Sequence, residues 1–129
     1  PAYAGKFGAS AEGVLGAGGI DPDTPAMQKY FADHKKATGK TPDYWASGMV
    51  YATFQILEKS IEAVGSKDRK AVIDHIKKTT FDTVMGPITF KNQNNEKYWT
   101  VGQWQGGKFY GVSTTGRPGA KAVKPKTGW

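Results

Sequence analysis

The chain has 129 residues, 38% of them hydrophobic, with no cysteine and a formal net charge of +7. That length suits one domain or part of a larger protein, and the composition is not that of a disordered segment. Disulfides and thiolate metal sites are excluded, and no apolar run approaches the ~18 residues of a membrane span.

The positive charge invites a nucleic-acid or anionic-surface partner. The lysines are nevertheless spread along the chain, as in an ordinary basic protein. The densest stretch, Lys121, Lys124 and Lys126, falls in a Gly/Pro-rich segment, residues 116–129, expected to be a poorly ordered tail. The sequence opens at Pro1 rather than Met and shows no signal-peptide pattern, as expected of a processed, clipped or cloned piece.

In chain order, residues 1–10 are small and turn-rich. Ala11 to Ala17 has an apolar centre bounded by glycines and predicts a short buried strand. Thr24-Pro25 is a cap followed by proline, so a helix is predicted over 25–38, ending at Gly39. Thr41-Pro42 repeats the signal and predicts a long helix over 42–64, with Asp43 on the positive end of its dipole and Gly65 as its stop. Val50, Phe54, Leu57, Ile61 and Val64 recur at spacings of three and four, the pattern of a core-facing stripe. Ser66 then caps a short helix over 67–78 with Val72, Ile73 and Ile76 inward. Gly86 to Phe90 reads as a bend into a short strand, with Pro87 at its edge or first residue. Asn92 to Asn95 is a polar turn. Tyr98 to Gln105 and Lys108 to Val112 flank Gly106-Gly107 and predict a closing β-hairpin.

Catalytic chemistry finds little purchase. His34 and His75 lie on separate predicted helices without a ligand pattern. No Gly-x-Ser-x-Gly elbow occurs, and the glycines at 13, 16, 18 and 19 fit neither the P-loop nor the dinucleotide motif. Nothing therefore points to an enzyme, a metal or a cofactor. Trp99 and Trp104 are expected to pack across the hairpin. Tyr44 and Trp45 differ: expected in the first turn of the long helix, they combine aromatic surface with free backbone N–H groups that could receive a small carboxylate ligand.

Four segments together carry a family likeness. They are Ala11-Glu12-Gly13-Val14 before a loop and Pro-capped helix; Tyr44 to Ala63 followed by Val64-Gly65-Ser66-Lys67-Asp68-Arg69; Phe81 to Phe90; and Val101-Gly102-Gln103-Trp104-Gln105 before Gly-Gly-Lys. In this order, over about residues 7 to 115, the chain resembles the C-terminal third of the periplasmic branched-chain amino-acid binding proteins, solute receptors of ABC transporters of the leucine/isoleucine/valine type. The resemblance implies an α/β fold that is the C-terminal part of a two-lobed (type I) receptor closing on its ligand by hinge motion. It assigns residues 1–17 to the end of the second lobe and a hinge crossing, 18–97 to the first lobe, and 98–115 to a hairpin returning to the second lobe.

It further implies hinge roles for Gly13, Gly16 and Gly18, with Gly19 in the same crossing, because glycine tolerates unusual dihedrals. Tyr44 matches an aromatic residue that lines the family's side-chain pocket, and Trp45 is its neighbour. The family's main contacts to the ligand's amino and carboxylate groups lie upstream of Pro1. The implied partners are a small solute, an amino acid or an aliphatic or aromatic carboxylate, and a membrane permease; the implied location is the periplasm, after removal of a signal peptide. A fragment of such a receptor is expected to cover its open edges by self-association or strand exchange. The competing reading is a small basic nucleic-acid-binding module with an aromatic hairpin, which needs Trp99, Trp104 or Tyr110 exposed beside Lys97 and Lys108.

Overall fold

Helix α2, Pro25–Thr38, forms where its capping signals place it. Thr24 Oγ1 accepts a hydrogen bond from Met27 N at 3.2 Å, and Gly39 closes the helix at φ +71°, a left-handed turn that glycine adopts without a side-chain clash. The computed structural model describes residues 2–114 and 116–128, and of Thr100 the backbone alone. Trp129 thus lies outside the described residues.

Helix α3, Ala46–Val64, begins four residues later than Pro42. Asp43 is the reason. Its carboxylate accepts from Trp45 N at 2.8 Å and from Ser47 N at 3.1 Å, so it takes at the start of the helix the part that Thr41 was expected to play. Tyr44 and Trp45 consequently precede the helix instead of forming its first turn. Gly65 ends it at φ +66°, donating to Ile61 O.

The face that α3 buries is not the expected one. Gly48, Ala52, Ile56 and Ser60 are buried, while Val50, Phe54 and Leu57 are exposed, Phe54 by 64%. Ile61 and Val64 are only half-buried. The inward residues are spaced four apart, and all but Ile56 are small, which lets the helix lie close to its neighbours. A Cβ on Gly48 would sit 3.3 Å from Met85 Sδ and 3.5 Å from Met27 Cε. Ser60 stays dry by donating its hydroxyl to Ile56 O at 2.7 Å. Size misled the sequence pattern: the larger apolar side chains occupy the face that this chain leaves uncovered.

Helix α4, Arg69–Ile76, is shorter than the expected 67–78. Its cap is Asp68, whose carboxylate accepts from Ala71 N at 2.8 Å, while Ser66 Oγ accepts from Asp68 N one step earlier. Val72 is buried, Ile76 half-buried and Ile73 exposed. Strands β2, Thr80–Thr83, and β3, Gly86–Thr89, form a hairpin in register Phe81↔Ile88 and Asp82↔Pro87. Pro87 lies in a two-stranded sheet, where a missing N–H is tolerated. The hairpin packs on α3: Gln55 Oε1 accepts from Val84 N at 2.9 Å, and Lys59 Nζ donates to Asp82 O at 2.5 Å. Ile20, Met27, Tyr30, Ala52, Ile56, Phe81, Val84, Met85, Ile88 and Trp99 make the core.

A second sheet has the antiparallel order β1-β4-β5. Strand β4, Trp99–Gln105, and β5, Lys108–Thr114, are the expected hairpin around Gly106-Gly107, both at positive φ. Strand β1, Leu15–Ala17, joins it in register Gly16↔Gly102. It is shorter than foreseen and its side chains are exposed, Leu15 by 55%. Gly13, at φ +78°, interrupts the extended run that the apolar pattern suggested. The N-terminal stretch is also more regular than expected: α1, Ala2–Phe7, stacks Tyr3 on Phe7 one turn later, and a 3-10 turn follows over Gly8–Ala11.

The tail forms no regular element, as its Gly/Pro content predicts, but it is not loose. Trp99 Nε1 donates to Pro118 O, Ala120 N to Gly111 O and Gln105 Nε2 to Ala122 O, at 3.2, 2.8 and 2.8 Å. The tail thereby runs along β4 and β5, fastened mainly through its own backbone.

Candidate functional site

Residues 40–45 bring the chain from α2 to α3 across the end of the β1-β4-β5 sheet. Asp43 organises this approach. Burial pushes its carboxyl up, and the N–H groups of Trp45 and Ser47 more than offset that, leaving it below the usual carboxylate range. Tyr44 follows, half-buried. Its ring meets Phe31 edge-on at 5.5 Å and Trp104 edge-on at 6.0 Å. Trp104 in turn touches Phe109 at 5.2 Å and stacks near Tyr3 at 5.7 Å. Tyr44 is therefore held in a row of aromatic rings that joins α2 to the hairpin.

Trp45 is more open, 40% exposed. Its indole lies on the backbone of Gly18: a Cβ there would come within 2.5 Å of Trp45 Cε2. Gly18 has φ +89°, so both conformation and space exclude a side chain. Burial raises the pKa of the nearby Tyr98 phenol, an effect the Trp45 side chain moderates. Of the five residues singled out in the sequence, the structure brings Trp45 and Gly18 into contact. Gly16 sits in β1 at an ordinary φ, facing Phe109 Cζ, and Gly13 lies outside the strand, towards the N-terminus.

The crossing that follows is tighter than its glycine content suggests. Gly19, at φ +126°, passes so near the sheet that a Cβ would fall 2.5 Å from Gly111 Cα and 3.2 Å from Gly102 Cα. Gly111 N donates to Ile20 O at 2.7 Å just beyond. Strands β4 and β5 and the segment after β1 thus each supply a glycine at one point. Asp23 then fastens the start of α2 to β5, accepting from Lys108 Nζ at 2.6 Å and Tyr110 Oη at 2.8 Å. Those two bonds hold its carboxyl below the usual range.

Sequence reasoning missed Gln103 and Gln105, which are 1% and 3% exposed. They face inward at alternate positions of β4 among apolar residues. An inward amide needs partners, and that pair at i, i+2 was the available signal. The aromatic platform required for single-stranded nucleic acid is not formed: Trp99 and Tyr110 are each 3% exposed, Trp104 is packed among rings, and Lys108 is engaged by Asp23. Among the described residues no group of three or more His, Asp or Glu side chains is placed to hold a metal ion. No helix is long and apolar enough to cross a membrane.

The widest concavity near this site is an apolar groove of about 600 Å³ between α2 and α3, lined chiefly by Tyr30, His34, Val50, Tyr51 and Phe54. Neither Tyr44 nor Trp45 lines it.

Helices α2, α3 and α4 and the β2-β3 hairpin pack together beside the three-stranded sheet in a mixed α/β arrangement. The chain belongs to the periplasmic binding protein family, whose model matches residues 2–108. Two solved structures share the fold. A leucine binding protein, LivK, from Thermotoga maritima is 24% identical, with a TM-score of 0.62 over 84% of this chain and 32% of that one. A solute binding protein of an ABC transporter from R. palustris, solved in complex with benzoate, is 18% identical, with a TM-score of 0.65 over 95% of this chain and 34% of that one. The chain thus spans about a third of the length of these structures. No curated protein matches it.

Proposed function

We propose that this chain is the C-terminal part of the solute-binding component of an ABC transporter, a non-enzymatic periplasmic receptor for amino acids or related small carboxylates. The observation that carries the proposal is the family match over residues 2–108, joined to a shared fold with two receptors whose own ligands are leucine and benzoate. The topology supports a place for the chain within the receptor. Residues 1–17 end one lobe and begin the crossing, 18–97 belong to the other lobe, and 98–115 return. Pairing of β1 with β4 in one sheet supports that assignment, because crossing and return then run side by side.

Tyr44 and Trp45 form part of the ligand wall. Trp45 presents exposed aromatic surface beside the crossing, and its neighbour Tyr44 is held between Phe31 and Trp104 in the aromatic row. An aromatic wall recognises a solute by shape and apolar contact, and the charged ends of an amino acid need partners from elsewhere in the receptor. Gly13, Gly16 and Gly18 serve the hinge. The partner in transport is the membrane permease.

The test is a thermal-shift screen of the longer polypeptide that contains this chain, with the 129-residue chain run alongside. The solutes are aliphatic amino acids, amides and aromatic carboxylates. A solute at a hundred times its dissociation constant adds about 2.7 kcal/mol to the folded state. One class should raise the melting temperature of the longer polypeptide and leave that of the chain unchanged. No shift across the whole panel overturns the proposal.

A further inference from the structure

Gln103 has the most complete set of partners among the side chains of the β1-β4-β5 sheet. Its Nε2 donates to Gly13 O at 2.9 Å and to Lys124 O at 2.7 Å. Its Oε1 accepts from Lys124 N at 2.9 Å and from Gln105 Nε2 at 2.8 Å. Both donors and both lone pairs of the amide are used, at 1% exposure. Three separated segments meet on this one group: the start of the crossing at Gly13, the return strand β4, and the tail at Lys124.

The surroundings repeat the pattern. Gly13 N donates to Trp104 O at 2.8 Å, and Trp104 N to Val14 O at 3.0 Å. On the far side of Gly13 the tail lies so close that a Cβ would touch Lys126 Cα at 3.0 Å. Lys126 Nζ reaches past it to Ser10 O and Glu12 O, at 2.9 and 3.1 Å. Gln105 Nε2 holds Ala122 O at 2.8 Å. Between Gly119 and Lys126 the tail offers its backbone to the two glutamines, and its own Lys121 and Lys126 add a contact with the Tyr110 ring and the bonds to Ser10 O and Glu12 O.

We infer that Gln103 is a positioning residue for the hinge, and that residues 119–126 are a strap which it clasps across the crossing at Gly13 and the return strand β4. This rests on the receptor reading, in which those two segments connect the lobes. Bending at Gly13 must strain a buried amide with no spare valence, and a buried polar group pulled from its partners is expensive. The clasp therefore stiffens the hinge without touching solute. Its removal lowers the barrier to opening and to closing alike, so solute enters and leaves faster at a nearly unchanged ratio of the two rates.

Two variants of the longer polypeptide test this: Gln103→Met, which keeps the volume and removes the four bonds, and a chain ending after Pro118, which removes the strap and leaves Gln103 to water. Hydrogen exchange at the amides of Gly13 and Trp104 should quicken about tenfold in either. Stopped-flow with L-leucine and with benzoate should then show association and dissociation rates each rising about threefold or more, with no further rise when the variants are combined. Unchanged exchange overturns the clasp, whatever the protein binds. Faster exchange with unchanged solute rates, or with only a lower melting temperature, overturns its role in the hinge and leaves it a structural brace. If neither L-leucine nor benzoate binds the unaltered polypeptide, the solute that raised its melting temperature takes their place, and failure of the whole panel removes the receptor basis on which the inference stands, a result distinct from either of the others. The truncated chain keeps the test decisive if Gln103→Met does not fold.

Discussion

Gly19 and Gly39 both adopt positive φ, at +126° and +71°, but their surroundings separate them. A Cβ on Gly39 meets nothing within 4 Å, whereas one on Gly19 runs into the backbone of Gly111 at 2.5 Å. Gly39→Ala should therefore cost only the left-handed penalty, about 1–2 kcal/mol. Gly19→Ala adds a clash with backbone that cannot rotate away, and should cost at least about 3 kcal/mol in all. Denaturant melts of the two variants compare them directly, and equal losses would show that the crossing relaxes away from the sheet. Asp43 makes a second prediction. Its carboxyl is held below the usual range in the folded chain. The resulting stability is present above the unfolded carboxylate pKa, about 4, and is lost as pH falls through the lower folded value. Asp43→Ala should lose about 1 kcal/mol at neutral pH, roughly 4 °C in melting temperature for a chain this long. Asp43→Asn should keep much of the cap and flatten the acid limb of the stability curve. An unchanged acid limb in Asp43→Asn would show that other carboxylates govern it.

At the scale of the element, α3 carries apolar residues on two faces and buries one. Ile56→Ala, on the buried face, should cost about 2–3 kcal/mol, while Phe54→Ser, at 64% exposure, should stay within about 0.5 kcal/mol in the 129-residue chain. Urea melts of the two variants, reversed in rank, would mean that α3 is turned about its axis from the orientation described here. The same helix shows what a sequence discloses and what it withholds. Elements with a local chemical stop were legible: Thr24-Pro25 and Gly39 bound α2, and Gly106-Gly107 set the hairpin. The start of α3 was not, because two capping residues, Thr41 and Asp43, compete within three positions and geometry chooses between them. Its face was not, because periodicity ranks residues by apolar size, and close packing on Met27 and Met85 favours Gly48 and Ala52. The site was legible as separate parts. Tyr44, Trp45 and the glycines stood out by type, but the contact of Trp45 with Gly18 depends on non-local packing. The path of the tail was invisible to sequence for a related reason: what it offers to Trp99, Gln103 and Gln105 is its backbone, which leaves no compositional trace.

At the scale of the molecule, the chain spans about a third of the length of the structures whose fold it shares, and its surface carries one open apolar face. The groove between α2 and α3, with Tyr30, Tyr51, Val50 and Phe54, is apolar and open to water. A helix apolar on both sides is ordinarily buried on both sides, and exposed apolar patches of this kind mark surfaces that bind something. Within the longer polypeptide the expected cover is the remainder of the first lobe. For the 129-residue chain alone the available cover is a second copy. Sedimentation velocity across a concentration series should therefore show reversible association of the chain. The paired change Val50→Ser and Phe54→Ser should shift it to monomer, at little cost in stability because neither side chain belongs to the core. In the longer polypeptide the same pair should instead lower the melting temperature, since the proposed remainder of the first lobe would cover these residues there. The opposite signs are the decisive feature, because a general effect of added serine acts the same way in both proteins. A monodisperse, cooperatively melting monomer of the short chain would mean that this face is stable in water and that the lobe does not need it covered.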